Sequence, residues 1–279
     1  LSLGWTGTEK QERILNRVSA FLCIAVIPVA VSVHTVVSWV FAMTIQPMWH
    51  SSIMGPYFVV GAIYSGIAAL LVAMALIRKG CGLQNYMKDI HFDYLGRLLL
   101  VMTLLWTYFT FAEYLTTYYG HSPEEVAVLM SKLTGHFAPH FWAMIFCCTV
   151  APFFILAFRK GRTVTGTVIA SLFISVGMWL ERYNIVAPTL LNPRSPRPGA
   201  SYVATWVEIS LMAGCFAMFI LIYMAFVKAF PIVSIWELEE GREEGVKQVV
   251  ERLESYLPPE EEPEDRSKAP LVLQRPRWG

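Results

Sequence analysis

The sequence is short of charge. Asp, Glu, Lys and Arg make up 15% of its 279 residues, against roughly a quarter in ordinary soluble domains. It holds no lysine- or arginine-rich block of the kind that grips nucleic acid. Neither a glycine-rich phosphate loop nor a nucleophile elbow occurs in it, so nothing points to a P-loop nucleotidase or a serine hydrolase. Cysteine is sparse. Cys23, Cys81, Cys147, Cys148 and Cys215 form no C-x-x-C pair, and four of them lie in apolar runs. Buried thiols fit that pattern better than iron–sulfur or zinc ligands do. Haem is disfavoured too. A two-haem bundle needs two histidine pairs within the membrane, whereas His34 alone lies well inside an apolar run and His50 falls between two runs. The chain begins at Leu1, with neither Met nor a leader-and-cleavage pattern, so a preceding segment of the natural protein is expected.

What the sequence has in abundance is apolar side chains: 55% hydrophobic, 14% aromatic, with a mean hydropathy of +0.49. They gather in six runs, 18–43, 55–77, 94–119, 137–158, 163–180 and 202–230. Runs of that length suit helices crossing roughly 30 Å of hydrocarbon. The expected fold class is therefore an all-α integral membrane protein, a bundle of six transmembrane helices. Residues 1–17 form a polar lead-in. Residues 120–136 carry Ser122-Pro123-Glu124-Glu125, a cap, a first-turn proline and two first-turn acids, which together start a helix lying on the membrane surface. Pro28 and Pro152 should kink the first and fourth spans. Gly61, Ser65, Ala69 and Ala73 make a small-residue stripe on the second span, where a neighbouring helix could approach. The proline-rich stretch 184–201 reads as having no room for regular structure. The tail 231–279 reads as an amphipathic helix over Glu237–Leu257 and an extended arm over Pro258–Gly279. Twelve of the 21 acidic residues lie between Glu237 and Asp265, so the membrane part is basic and the tail acidic.

Lys and Arg set the orientation. The lead-in and the connections between spans two and three and between spans four and five carry ten of them. The other three connections carry four: Lys132, Arg182, Arg194 and Arg197. Both termini of the segment are therefore expected in the cytoplasm. The connection that joins the first two spans, with Pro47, Trp49, His50, Ser51, Ser52, Gly55 and Pro56, is expected outside, with Trp49 and His50 as interface anchors.

In that frame the ionisable groups in the apolar runs lie toward one side. His34 is nine residues before Met43, and Glu113 is six before Tyr119. His136 and His140 open the fourth span, Glu181 and Arg182 close the fifth, and Glu208 lies six residues into the sixth. At about 1.5 Å per residue all fall within roughly 15 Å of the outer surface. Carboxylates are costly in lipid and should face the bundle interior. Carboxylates beside histidines suit proton transfer. His34 and Glu113 are thus candidate proton acceptors, with His136, His140, Glu181, Arg182 and Glu208 in support. Asp89, His91 and Asp93 read as a solvated inner rim. His136 and His140 have a metal-like i,i+4 spacing, but no carboxylate or cysteine supports them, so no metal site is expected. The same intramembrane Glu and His residues also fit an ion-coupled secondary transporter. The surface helix and acidic tail also fit a non-catalytic anchor that docks partners.

Four stretches carry a resemblance. They are SVHTVVSWVFAMTIQPMWHSSIMGPYFVVGAIYSGIAAL (Ser32–Leu70), FAEYLTTYYGHSPEE (Phe111–Glu125), GMWLERYNIV (Gly177–Val186) and KAFPIVSIWELEE (Lys228–Glu240). They resemble the NrfD-like, or polysulfide-reductase membrane-subunit, family, and within it the ActC type of large membrane subunit of bacterial alternative complex III, ahead of the sister ActF type. The resemblance implies a protein of about ten helices in two four-helix bundles, of which this chain supplies roughly the last six. It implies a quinol-oxidising membrane subunit in the bacterial inner membrane, with menaquinol the expected substrate. Electrons would go to a periplasmic iron–sulfur, molybdopterin-like subunit, and protons would pass through the bundle. Multihaem cytochrome c subunits, a homologous membrane subunit and small membrane subunits are the implied partners, with lipid around them. Neither haem nor an iron–sulfur cluster would be held by this chain. In that family the quinone pocket is built largely by the first bundle, so the resemblance carries over only to His34, Glu113 and, less directly, Glu181-Arg182.

Overall fold

The computed structural model describes residues 8–80, 87–192 and 204–229, together with Thr6, Gly82, Gln84, Val246, Lys247, Val249 and Val250. Every regular element among them is helical. The chain divides into two compact units, Leu1–Val203 and Ala204–Gly279. In the first unit run α1 (Glu9–Ala42), α2 (Met54–Gly80), α3 (Asp89–Gly120), α4 (Pro123–Leu133), α5 (Ala138–Ile145), a π-helical turn (Phe146–Val150), α6 (Ala151–Ala157) and α7 (Val164–Leu191). The second unit holds α8 (Trp206–Ala229). Six helices, with α5 to α6 counted as one, are long and apolar enough to cross a membrane. Apart from the four helical positions at 246–250, the tail expected as an amphipathic helix and an arm lies outside the described residues.

Helix α2 is the hub of the first unit: it packs against α7, α1 and α3. Its buried seam is Val60-Gly61, Tyr64, Ala68 and Leu71, spaced as a 3.6-residue helix requires. The expected stripe at 61, 65, 69 and 73 keeps a strict period of four. It drifts about 40° per step around the helix, so Ala69 already faces outward. Gly61 is where α7 comes close: a Cβ there would stand 3.1 Å from Met178 and 3.5 Å from Arg182 Nη2. Around α2 the centre is filled by Leu99 and Trp106 of α3, Met144 of α5, Leu156 of α6 and Ile174 of α7, all fully buried.

The fourth span does not simply kink at Pro152. Its buried residues Met144, Cys148, Pro152 and Leu156 recur every fourth position, a period a straight α-helix cannot hold on one face. The π turn at Phe146–Val150 absorbs the drift. Pro152 offers no N–H to the Cys148 carbonyl four residues back. The Tyr64 hydroxyl, 2.7 Å away, donates to that carbonyl in its place. Gly177 of α7 faces the same turn, and a Cβ there would meet Cys148 Sγ at 2.5 Å.

Helix α7 runs on to Leu191, so the segment expected to be irregular from residue 184 is helical for eight residues. Pro188 removes one backbone donor there. Trp49 compensates nearby, its indole Nε1 donating to the Ile185 carbonyl at 3.0 Å. At the opposite end, Arg162 donates to Asp93 at 3.0 Å and to the Leu156 carbonyl at 2.8 Å. That side chain closes the C-terminus of α6 and ties it to α3. The rim expected to be merely solvated is therefore an ion-paired belt: Asp93 also pairs with Arg97, and Asp89 with Arg78.

Large apolar side chains of α1, from Phe21 to Val40, are exposed within the unit, and Ser38 is the one buried residue of that helix. The described surface of α8 within its own unit is likewise apolar and exposed.

Candidate functional site

Three elements meet where the connection after α1 folds over the ends of α3 and α7. Thr44 and Trp49 close that connection on themselves by backbone bonding at 3.2 Å, and Met48 takes a left-handed backbone to make the turn. Trp49 packs edge-on against Phe41 with ring centroids 5.0 Å apart. Together with its bond to Ile185, this pins the turn to α1 and α7. Trp49 is thus an internal strut, where an interface anchor was expected. His50 Nε2 pairs with Glu125 Oε1 of α4, so the neighbouring anchor is also engaged within the chain.

The turn delivers Ser51 to Glu113. The Ser51 hydroxyl donates to Glu113 Oε2 at 2.5 Å. Glu113 is 8% exposed, and Thr110 and Thr117, one turn to either side on α3, are buried with it. Facing it from α4 is Lys132, only 3% exposed. The ammonium stands 5.6 Å from the centre of the Tyr114 ring, a cation–π arrangement, and 3.8 Å from Met48 Sδ. Burial pushes Lys132 down to about 8, against an opposing attraction from Glu113. Glu113, Lys132, Tyr57, Tyr114, Trp49 and Thr189 are among the walls of a cavity of about 30 Å³. Roughly two water molecules fit such a space, while pockets for drug-sized ligands begin at about 300 Å³. The cavity suits water and protons, not a quinone ring.

A second buried acid lies deeper. Glu181 of α7 is 1% exposed and accepts a bond from Trp106 Nε1 at 2.9 Å. Its other oxygen is 3.6 Å from Arg182 Nε. The Arg182 guanidinium lies over Phe58 at 4.1 Å. Tyr57 stands between the two acids and interacts with both Glu181 and Tyr114. Glu181 and Glu113 therefore share one polar layer, joined by tyrosines that no sequence pattern singled out.

The other expected residues are placed elsewhere. His34 is half-buried on α1, and its Nδ1 is 2.8 Å from the Ala30 carbonyl of its own helix; no contact ties it to Glu113 among the described residues. His136 and His140 are exposed, with rings against Phe137 and Tyr183. Glu208 sits in the first turn of α8, which starts at Trp206. The Thr205 backbone N–H donates to its carboxylate at 2.8 Å and its own N–H reaches Thr205 Oγ1 at 3.4 Å, a reciprocal capping box. It is a helix-start residue and not a group two turns inside. Among the described residues no cluster of His, Cys, Asp and Glu is suited to hold a metal ion.

Lys132 is the residue the sequence reading undervalued, since it entered only as an outer-side charge. Its spacing did carry a signal: Val128 and Leu129 are fully buried, and Lys132 shares their helix face at i+4 and i+3.

Residues 4–193 match the family model described as "Polysulphide reductase, NrfD". A curated relative from Halobacterium salinarum, named as a "Putative dimethyl sulfoxide reductase membrane subunit", is 25% identical over 251 residues, covering 82% of this chain and 57% of the relative. The chain thus spans little more than half the length of that protein. It belongs to the NrfD family of polysulphide reductase membrane proteins, and it is a multi-pass membrane protein by family and by its six spanning helices.

Proposed function

We propose that this chain is the membrane subunit of a quinol-linked oxidoreductase complex, and that the Glu113 layer takes up the protons quinol releases. Family membership and the named role of the Halobacterium relative support the subunit reading. The observation that carries the proton role is the pairing of a buried carboxylate with a buried lysine around a water-sized cavity. Ionisable groups inside a membrane bundle are functional by default because they are costly to keep there.

In this reading Glu113 accepts the proton, Ser51 orients its carboxylate, and Tyr57 links it to Glu181. Arg182 holds Glu181 in place. His34 is a separate acceptor on α1. His136 and His140 belong to a face offered to a partner protein. The quinol ring binds against the layer and not in it, since about 30 Å³ admits no ring. On the resemblance of the four quoted stretches, the complex is of the alternative complex III kind, with this chain of ActC rather than ActF type. Its quinol is menaquinol. Electrons pass to an iron–sulfur, molybdopterin-like subunit beside multihaem cytochromes, a homologous membrane subunit and small membrane subunits. The distribution of Lys and Arg supports a bacterial inner membrane protein with the Glu113 layer toward the periplasm and both termini of this segment in the cytoplasm.

The test is Glu113→Gln in the assembled complex, which keeps shape and removes the proton. Quinol oxidation should fall by about 10²-fold or more, the usual scale for a lost acid–base group, with assembly unchanged. Wild-type turnover in a normally assembled variant would remove Glu113 from the mechanism.

A further inference from the structure

We propose that Glu113 and Lys132 exchange a proton through one or two water molecules held between them by Thr189. The inference deepens the proposed function by giving its site a route, and it rests on that reading only for the identity of the first proton donor.

Four observations carry it. Both side chains line the same cavity, yet among the described residues no direct ion pair joins them. Lys132 is buried with a thioether and an aromatic face as its neighbours. An ammonium has three N–H donors and a thioether is a weak acceptor, so its donors are not satisfied by the protein alone. Thr189 of α7 is fully buried, lines the same space, and its hydroxyl has no hydrogen-bond partner. Buried hydroxyls and ammonium groups do not stay unpaired. Finally, the cavity has the volume of about two waters, and a buried water typically makes about three hydrogen bonds. Glu113, Lys132 and Thr189 supply that number from three helices.

The exchange balances without any electron moving. The O–H bond of the protonated Glu113 carboxyl breaks, and its proton goes to the intervening water. That water passes one of its own protons to the lone pair of the neutral Lys132 amine. A neutral pair becomes a carboxylate and an ammonium, and the water is restored. The site carries no net charge before or after, which keeps the step inexpensive in a poorly solvated place. Lys132 lies close enough to neutrality, at about 8, for both of its forms to be reached. The other ionisable groups that face the pair are His50 from the connection after α1, Glu125 on α4, Tyr57 on α2, Tyr114 on α3 and Glu181 on α7. His50 and Glu125 are already paired with each other.

Infrared difference spectroscopy on the assembled complex tests this. The carboxyl band of Glu113 is identified by its loss in Glu113→Gln, and its pH midpoint is measured in wild type, Lys132→Met and Thr189→Val. A coupled pair predicts that Lys132→Met moves the midpoint by roughly one pH unit or more, a tenfold change in proton affinity. Thr189→Val, nearly the same shape without the hydroxyl, should remove a water O–H band and slow deuterium exchange at Glu113. An unmoved midpoint in Lys132→Met, or unchanged water bands and exchange in Thr189→Val, overturns the relay. Quinol turnover is read separately. A coupled titration with normal Glu113→Gln turnover would spare the relay and sink the proposed function. Uncoupled titration with lost turnover would do the reverse.

Discussion

Replacing Lys132 by Met should make the protein more stable at neutral pH, and by an amount that disappears in alkali. An ordinary lysine titrates near 10.5, and Lys132 in the fold near 8. The gap is about 2.5 pH units, worth about 1.4 kcal/mol each, so roughly 3 kcal/mol. The side chain is only 3% exposed, so solvent screening takes little from that figure. The attraction of Glu113 works the other way and is already contained in the net value. The sign follows from proton counting. Between pH 8 and 10.5 the unfolded lysine keeps a proton that the folded one has released, so stability rises with pH over that window. The gain is complete above 10.5 and absent below 8. Met keeps the length of the side chain and its contacts with Met48 and the Tyr114 ring, and it brings no charge. Lys132→Met should therefore exceed wild type by up to about 3 kcal/mol at pH 7 and meet it near pH 10.5. Unfolding of the detergent-solubilised protein at pH 7, 8, 9 and 10 measures this, with the difference between the two curves cancelling every other titrating group. Parallel curves would refute the argument, as would a variant less stable than wild type at pH 7.

Two further predictions concern the seam between α2, the π turn and α7. Tyr64→Phe leaves the Cys148 carbonyl and the Thr103 hydroxyl without their partner, at 2.7 and 3.0 Å now. It should cost about 1–3 kcal/mol in thermal or denaturant unfolding; a loss below a few tenths would show that the π turn satisfies itself. Gly66→Ala and Gly177→Ala form a pair. Nothing lies within 4 Å of a Cβ at Gly66, so the change should stabilise by up to about 1 kcal/mol. At Gly177 the same methyl meets Cys148 Sγ at 2.5 Å and the Cys148 nitrogen at 3.1 Å, and overpacking of about 1–3 kcal/mol should outweigh the helix gain. Equal melting temperatures for the two variants would contradict this packing.

The sequence was most informative where a single physical rule decides. Long apolar runs can only be helices in lipid, and α2, α3 and α7 follow theirs. Glu113 had to face inward for the same reason, and it does. The rest depended on contacts across the chain. Pro188 reads as a helix breaker until Trp49, 139 positions earlier, is seen bonding next to it. Lys132 reads as a surface charge because lysine is rarely buried, and only the space left by Met48 and Tyr114 explains its burial. His34 was grouped with Glu113 by depth along the helix, but depth does not fix azimuth. Glu208 looked intramembrane because the apolar run began at Tyr202, whereas the Thr205 cap starts the helix later and places Glu208 in its first turn.

The π turn has a consequence for how this chain can change length over time. One residue lost between Phe146 and Val150 would let the segment close into plain α-helix. Everything before it would stay in place, while Ala151–Ala157 would swing by about 100° and leave Leu156 pointing away from the core. Insertions and deletions are normally tolerated between helices and rejected within them only for lack of room. Here the reason is angular: the spacing from Phe141 to Leu156 sets the phase of a helix against its neighbours. Among homologues, gaps should fall in the connections around this span and leave residues 141–156 at constant length.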